Sequence, residues 1–203
     1  MKNELMKSGV VLVLLCVSLV SCQKNETRYY SDDDNKGLSV FSNTGNNIFT
    51  CYVNGIPWRT INRTCCGFLS GTTSEIFIRQ QNDSSHNMLV IDWLGNFQNN
   101  TSSLDNFSLN LYIPANFTYR DFNKLQGTRI AIDSTTGYFS TTIAGTGGGI
   151  GTGSIYFNKA SLDSTATGNY TGSFSGLLEA TFFSGAVTKG RFDHDITSGQ
   201  IIF

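Results

Sequence analysis

Few side chains in this chain could do chemistry. Only two histidines are present, His86 and His194. That excludes a three-histidine metal centre and forces any serine–histidine–aspartate relay through one of them. The densest titratable cluster is Asp193-His194-Asp195. On a strand the two aspartates share one side and the imidazole takes the other, so the three converge only if the strand ends there. A solvated turn is the expectation, and a divalent cation held by the two aspartates is the sharper alternative. Two further acids, Asp92 in Val90-Ile91-Asp92-Trp93-Leu94 and Glu179 in Leu177-Leu178-Glu179-Ala180-Thr181, lie within apolar runs. Glycoside hydrolysis needs two carboxylates roughly 5–9 Å apart across a cleft, one with its pKa raised by burial. Asp92 and Glu179 are the candidates for such a pair.

Two stretches imitate ligand motifs and fail on detail. The tract from Gly145 to Gly153 has no G-x-G-x-x-G register, no following lysine and no helix pattern after it. It reads as a mobile hairpin loop between Ile143 and Ile155. Asp32-Asp33-Asp34 lacks the calcium-loop pattern, since Lys36 stands at a ligand position and no glutamate closes the loop. Of the five cysteines, Cys51, Cys65 and Cys66 lie in the body of the chain. Cys51 could bridge to Cys65 or to Cys66 in an oxidising compartment, or the thiols could simply be buried. Adjacent Cys65-Cys66 with no nearby histidine is not a zinc spacing. The sequence therefore assigns no catalytic residue, no metal ligand set and no cofactor.

The elements that would position these groups read as strands. Charged residues make up only 14% of the chain, against 15 Phe, 8 Tyr, 21 Gly and 2 Pro. That composition suits short strands joined by polar turns. The clearest local signal is Phe49-Thr50-Cys51-Tyr52-Val53, then Asn54-Gly55, then Ile56-Pro57-Trp58-Arg59-Thr60. Asn-Gly between alternating runs predicts a two-residue hairpin that pairs Val53 with Ile56, Cys51 with Trp58 and Phe49 with Thr60. Pro57 implies an edge or a break in its strand. Further strands are predicted over 75–79, 88–94, 107–113, 129–132, 138–143, 154–157, 177–183, 186–192 and 200–203, with a short helix near 119–125. Many short strands without a long helical period predict an all-β fold, a single antiparallel β-sandwich or barrel-like domain over residues 46–203. Ahead of it, residues 22–45 are polar, without apolar periodicity, and read as a flexible tether.

The chain opens with Lys2 and Lys7, an apolar run from Val10 to Val20, then Ser21-Cys22. A run of that length is too short to span a bilayer core, which takes about 20 residues, and it reads as a leader over residues 1–21. Leu19-Val20-Ser21-Cys22 resembles the lipobox of bacterial lipoproteins, which implies cleavage before Cys22 and lipid attachment to it. Cys16 fits less well, because Leu15 precedes it. Phe49-x-Cys51-x-Val53-Asn54-Gly55-x-x-Trp58, with Gly172-Ser-Phe174 and Thr188-Lys-Gly190-Arg-Phe192-Asp193, is similar to a family of exported Bacteroidetes lipoproteins. The likeness covers the two ends of the domain and implies an all-β fold and no catalytic residues. Gln23-Lys24-Asn25-Glu26 partly resembles the surface-export signal of that phylum. Asp-Ser-Thr at 133–135 and 163–165 resembles its O-glycosylation motif, which would make Ser134 and Ser164 acceptors. Ile201-Ile202-Phe203 is similar to the aromatic end of outer-membrane barrels, a likeness that the lipobox argues against.

The expected protein is a lipid-anchored lipoprotein of the outer membrane or cell surface. Its partners would be the membrane, through the N-terminal lipid, and a glycan or protein ligand. Trp58, Trp93, Tyr112, Tyr119 and Tyr170 are the aromatics that could meet such a ligand. A net charge of −1 gives no electrostatic reason to expect nucleic acid. The alternatives are a carbohydrate-active hydrolase using Asp92 and Glu179, or a structural subunit of a surface assembly that offers an edge strand. Oligomeric state is not legible in the sequence.

Overall fold

The computed structural model describes residues 28–60, 74–80, 86–97, 105–143, 145–164, 170–196 and 201–202. Strand β1 (Ile48–Val53) turns through Asn54-Gly55 into β2 (Ile56–Thr60). Asn54 and Gly55 have φ of 51° and 82°, the doubly positive geometry of the tight hairpin turn that Asn-Gly favours. Val53 pairs with Ile56 and Cys51 with Trp58, as the turn dictates. The Phe49 N–H donates to the Thr60 hydroxyl at 2.9 Å. Pro57 lies one residue before β2 begins to pair with its second neighbour at Trp58, so its missing N–H costs no ladder bond there.

The remaining elements are β3 (Ser74–Gln80), β4 (His86–Phe97), β5 (Asp105–Pro114), α1 (Tyr119–Asn123), β6 (Arg129–Ile132), β7 (Gly137–Thr141), β8 (Gly149–Ser164), β9 (Tyr170–Phe182), β10 (Gly185–Ile196) and β11 (Ile201–Ile202). Around the sheet the order is β4, β2, β1, β10, β9, β8, β7, β5, and β5 pairs back onto β4. Eight antiparallel strands thus close into a barrel, the second of the two architectures that the sequence allowed. Closure removes the free edges that an open sheet would expose. β3 follows β2 along one edge of β4, β6 and β7 share one edge of β8, and β11 adds in parallel to β3.

An eight-stranded barrel is just wide enough to be filled by side chains or to hold one small ligand. Here the interior is packed with rings. Phe49, Trp58, Trp93, Phe107, Phe139, Phe157, Phe174 and Phe192 are all fully buried. Ring centroids lie 4.9 Å apart for Phe49 and Trp93, 5.5 Å for Phe107 and Phe139, and 5.6 Å for Phe174 and Phe192. Each ring contributes roughly 1.5–3 kcal/mol by leaving water. α1, started by a Thr118–Asp121 capping box, adds the buried Phe122. Its Asn123 exchanges two hydrogen bonds with the backbone of Leu162, at 2.9 and 2.6 Å, on the far half of β8. At the other end Asn54 ties three turns together, donating to Gly145 O and accepting from Ala186 N, both at 2.8 Å. The apolar interior, with Arg129, Glu179 and Lys159 on the wall, is the reverse of the polarity of a membrane-spanning barrel.

Two sequence expectations are corrected. The second half of the glycine tract is not loop, because β8 already starts at Gly149. Gly153 faces β9 so closely that a Cβ there would sit 2.0 Å from the carbonyl oxygen of Glu179. Glycine here permits close strand approach rather than mobility. Residues 28–45, read as part of a flexible tether, form a strap folded against the outside of β1 and β10. The strap doubles back through a Ser31–Ser39 bridge, and the fully buried Leu38 is its apolar anchor. Tyr52 donates to Lys36 O at 3.0 Å, Ser39 N donates to the Thr50 hydroxyl at 3.2 Å, and the Arg59 guanidinium stands over the Tyr29 ring at 5.2 Å. Residues 22–27 lie outside the described part.

Candidate functional site

The Asp193-His194-Asp195 cluster belongs to β10, not to a solvated turn. Its three side chains alternate as a strand requires. Asp193 points outward into the strap and is 3% exposed. Its Oδ1 accepts from Gly45 N at 2.9 Å, and its Oδ2 accepts from Asn46 N at 3.1 Å, from Thr44 N at 3.2 Å and from the Ser42 hydroxyl. Successive backbone N–H groups curled around a carboxylate satisfy its charge as they would satisfy a bound anion. With those donors in place Asp193 is the strap's fastening and not a cation ligand. Among the described residues no group of three or more His, Cys, Asp or Glu side chains could hold a metal ion. Asp195 is exposed, and its carboxyl is pushed up by partial burial and by the neighbouring Asp193 charge.

His194 points inward and is fully buried, stacked on Phe174 with centroids 5.1 Å apart. The Trp93 indole N–H donates to its Nε2 at 3.0 Å, so the neutral ring carries its proton on Nδ1. Burial lowers its pKa to about 3. It is a neutral acceptor in the core.

Asp92 and Glu179 do not meet. They stand on β4 and β9, four strands apart in either direction round the barrel. Asp92 lies on the face opposite the buried Ile91 and Trp93, and Glu179 on the face opposite the buried Leu178 and Ala180. The packed core separates the two, which is no geometry for shared acid–base work. Trp58 and Trp93 are fully buried in that core and can meet no ligand. Tyr112, 36% exposed, pairs with Tyr138 at 6.4 Å, and Tyr119 pairs with Tyr170 at 5.6 Å. Cys51 is a buried thiol whose ionisation burial opposes. Cys22, Cys65 and Cys66 lie outside the described residues. Ser134, in the turn that Asp133 organises, and Ser164, at the end of β8, are both exposed.

The concave feature of the wall was not foreseen from the sequence. A groove of about 390 Å³ is lined by Arg129, Ser154, Leu177, Leu178, Glu179, Lys189, Gly190 and Arg191, within the ordinary range of small-molecule sites. Cross-strand register assembles it: Tyr156 pairs with both Arg129 and Leu177, Ser154 with Glu179, and Leu177 with Arg191. A bulge in β10 between Val187 and Gly190 throws Lys189 outward at φ 50°. The signal available in the sequence is Lys189-Gly190 breaking the period-two alternation between Val187 and Phe192. Arg129 donates to the Ser154 hydroxyl at 3.3 Å and its guanidinium stands 5.8 Å from the Tyr156 ring centre. Lys189 donates to Asn35 Oδ1 of the strap at 2.7 Å. Arg191 pairs with Asp32 and donates to Ser39 O at 2.9 Å.

Asp32, within the stretch that the sequence reads as a flexible tether, thus ties the strap to β10. The Arg191 guanidinium and the Asn35 amide hold its carboxyl well down, at about 2. A depressed carboxylate stabilises the fold above its unfolded pKa, near 3.9, and that contribution is lost as pH falls through the folded value. The strap's acid contact is therefore complete above about pH 4 and lost as the pH falls through about 2. In a carboxyl-carbon NMR titration Asp32 has its midpoint near the lower value, and Arg191→Ala moves it up towards the ordinary one. An unmoved midpoint would refute the pairing.

No protein-family model, curated protein or solved structure matches this chain.

Proposed function

We propose that this protein is a lipid-anchored outer-membrane or cell-surface lipoprotein whose barrel is a non-catalytic binding module for a glycan or protein ligand. The observation that carries this reading is the division of labour within the barrel. The interior is filled by aromatic rings, while the wall offers a groove lined by three cations, a carboxylate and a hydroxyl. A filled barrel is a scaffold, and recognition then falls to its outer surface. The lipobox-like Leu19-Val20-Ser21-Cys22 supports the anchor, and the separation of Asp92 from Glu179 argues for binding rather than hydrolysis. The exposure of Ser134 and Ser164 is what O-glycosylation there would need.

Two measurements test the reading. The full chain, expressed in a bacterium with a lipoprotein pathway, partitions into the outer-membrane fraction, and Cys22→Ser releases it. Full release fails to occur if the anchor lies elsewhere. On a combined glycan and peptide array the detergent-solubilised chain binds a restricted set of ligands, and an empty array would sink the binding-module proposal.

A further inference from the structure

We infer that the groove between β6 and β10 takes an acidic saccharide, one whose sugar ring carries a carboxylate or a sulfate. The inference rests on the binding-module reading and names the chemistry of its ligand. The first support is charge. Of the three cations in the groove, Arg191 is matched by the Asp32 carboxylate. The described partners of Arg129 and Lys189 are neutral, a serine hydroxyl and an asparagine oxygen. Set against Glu179, with Arg191 and Asp32 cancelling, the groove carries a net positive charge on a chain that is slightly negative overall. An anionic group gains charge-assisted hydrogen bonds there.

The second support is the mixture of the other groups. A site for bare phosphate or for an acidic peptide gains nothing from a carboxylate in its wall, and Glu179 would repel both. A sugar needs such a group, because its hydroxyls are donors that Glu179 can accept and Ser154 can both accept from and donate to. Leu177, 37% exposed on the groove floor, provides apolar surface for the C–H face of a pyranose. The anion then lies with Arg129 and Lys189, and the hydroxyls with Glu179 and Ser154. The strap touches the groove through its lining cations, since Asn35 accepts from Lys189 and Asp32 pairs with Arg191.

Calorimetry with the detergent-solubilised full chain tests this. The probes are an oligogalacturonate, a sulfated heparin disaccharide, an uncharged galacto-oligosaccharide and polyglutamate. At least one acidic saccharide binds, about tenfold or more tighter than the uncharged one. R129Q and K189N each weaken it about tenfold; Asn suits the positive φ at 189. E179Q weakens the saccharide but not polyglutamate, an outcome that bulk electrostatics would not give. The uronate and sulfate arms decide which anion is preferred. Thermal unfolding midpoints within a few degrees of wild type show that these surface variants remain folded.

Equal binding of the uncharged saccharide would overturn the acidic class while leaving the binding module standing. Acidic binding untouched by R129Q and K189N would remove the ligand from this groove. Polyglutamate binding as tight as the saccharide would reduce the groove to a basic patch. No saccharide binding, with peptides retained on the array, would overturn this inference alone.

Discussion

Trp93→Ala lowers the stability of the barrel by about 3–5 kcal/mol, the range for deleting a large buried ring that its surroundings cannot refill. Trp93 touches Phe49 at 4.9 Å, Phe192 at 5.7 Å and Phe107 at 5.9 Å, so three strands lose contacts when it goes. The indole also satisfies His194, and removing it strands a buried acceptor. Trp93→Phe separates the two effects: it keeps much of the ring and loses the donor, costing about 1–3 kcal/mol for the orphaned nitrogen together with part of the packing. Urea unfolding followed by circular dichroism measures both variants. A loss below about 1 kcal/mol for the alanine variant would mean that the ring stack is not what holds the barrel.

The same pair makes stability fall in mild acid. His194 in the folded state resists protonation down to about 3, whereas in the unfolded chain it titrates near 6.5. Below that pH the unfolded state binds the extra proton, so stability drops by about 1.4 kcal/mol per pH unit until the folded ring itself titrates. His194→Gln flattens this slope between pH 6 and roughly pH 4, where the carboxylates take over. A wild-type profile with no slope above pH 5 would disprove the neutral buried imidazole.

Asp193→Ala has the second largest effect, about 2–4 kcal/mol, and it falls first on the strap. Three backbone N–H groups lose their shared acceptor at once, in a place where water does not replace it because Asp193 is 3% exposed. Asp193→Asn keeps an acceptor oxygen without the charge and costs less. The two are told apart from a general loss of stability by where the structure opens. Amide hydrogen exchange rises over residues 38–47 while β8 and β9 stay protected, and trypsin cuts after the exposed Lys36. Uniform loss of protection across barrel and strap would show that the strap is not a separate unit.

How much of this was legible in the sequence depended on whether the cause was local. The β1–β2 hairpin was readable to the residue pair, because Asn54-Gly55 sets both turn geometry and register. The extent of β8 was not. Glycines at 149, 151 and 153 remove the alternation that marks a strand, and a register shift between Phe157 and Lys159 interrupts it again. Closure of the barrel depends on β1 meeting β10 and β4 meeting β5, and period-two patterning names a face but not a partner. Sandwich and barrel are therefore indistinguishable at that level. The two aspartates that flank His194 make the triplet read as a solvated turn, whereas β10 continues through it and buries the imidazole. The strap misled for a related reason. Its polar composition is that of a tether, but its polar groups are matched one by one to Asp193, Arg191 and Tyr52.

That strap also determines how the molecule carries load. It starts and ends at the same pole of the barrel, where Arg28 N donates to Asn46 O at 2.8 Å, just ahead of β1. Tension applied to the chain before Arg28 therefore loads the Arg28–Asn46 bond first, then the Asp32–Arg191 pair and the buried Leu38, and the Asp193 fastening last before it runs along the axis of β1. β1 is held between β10 and β2, so the pull shears two ladders with all their bonds sharing the force, instead of peeling them open one at a time. The strap acts as a fuse in series with a shear joint: it gives way and lengthens the chain ahead of β1 while the barrel, and the groove on its wall, stay intact.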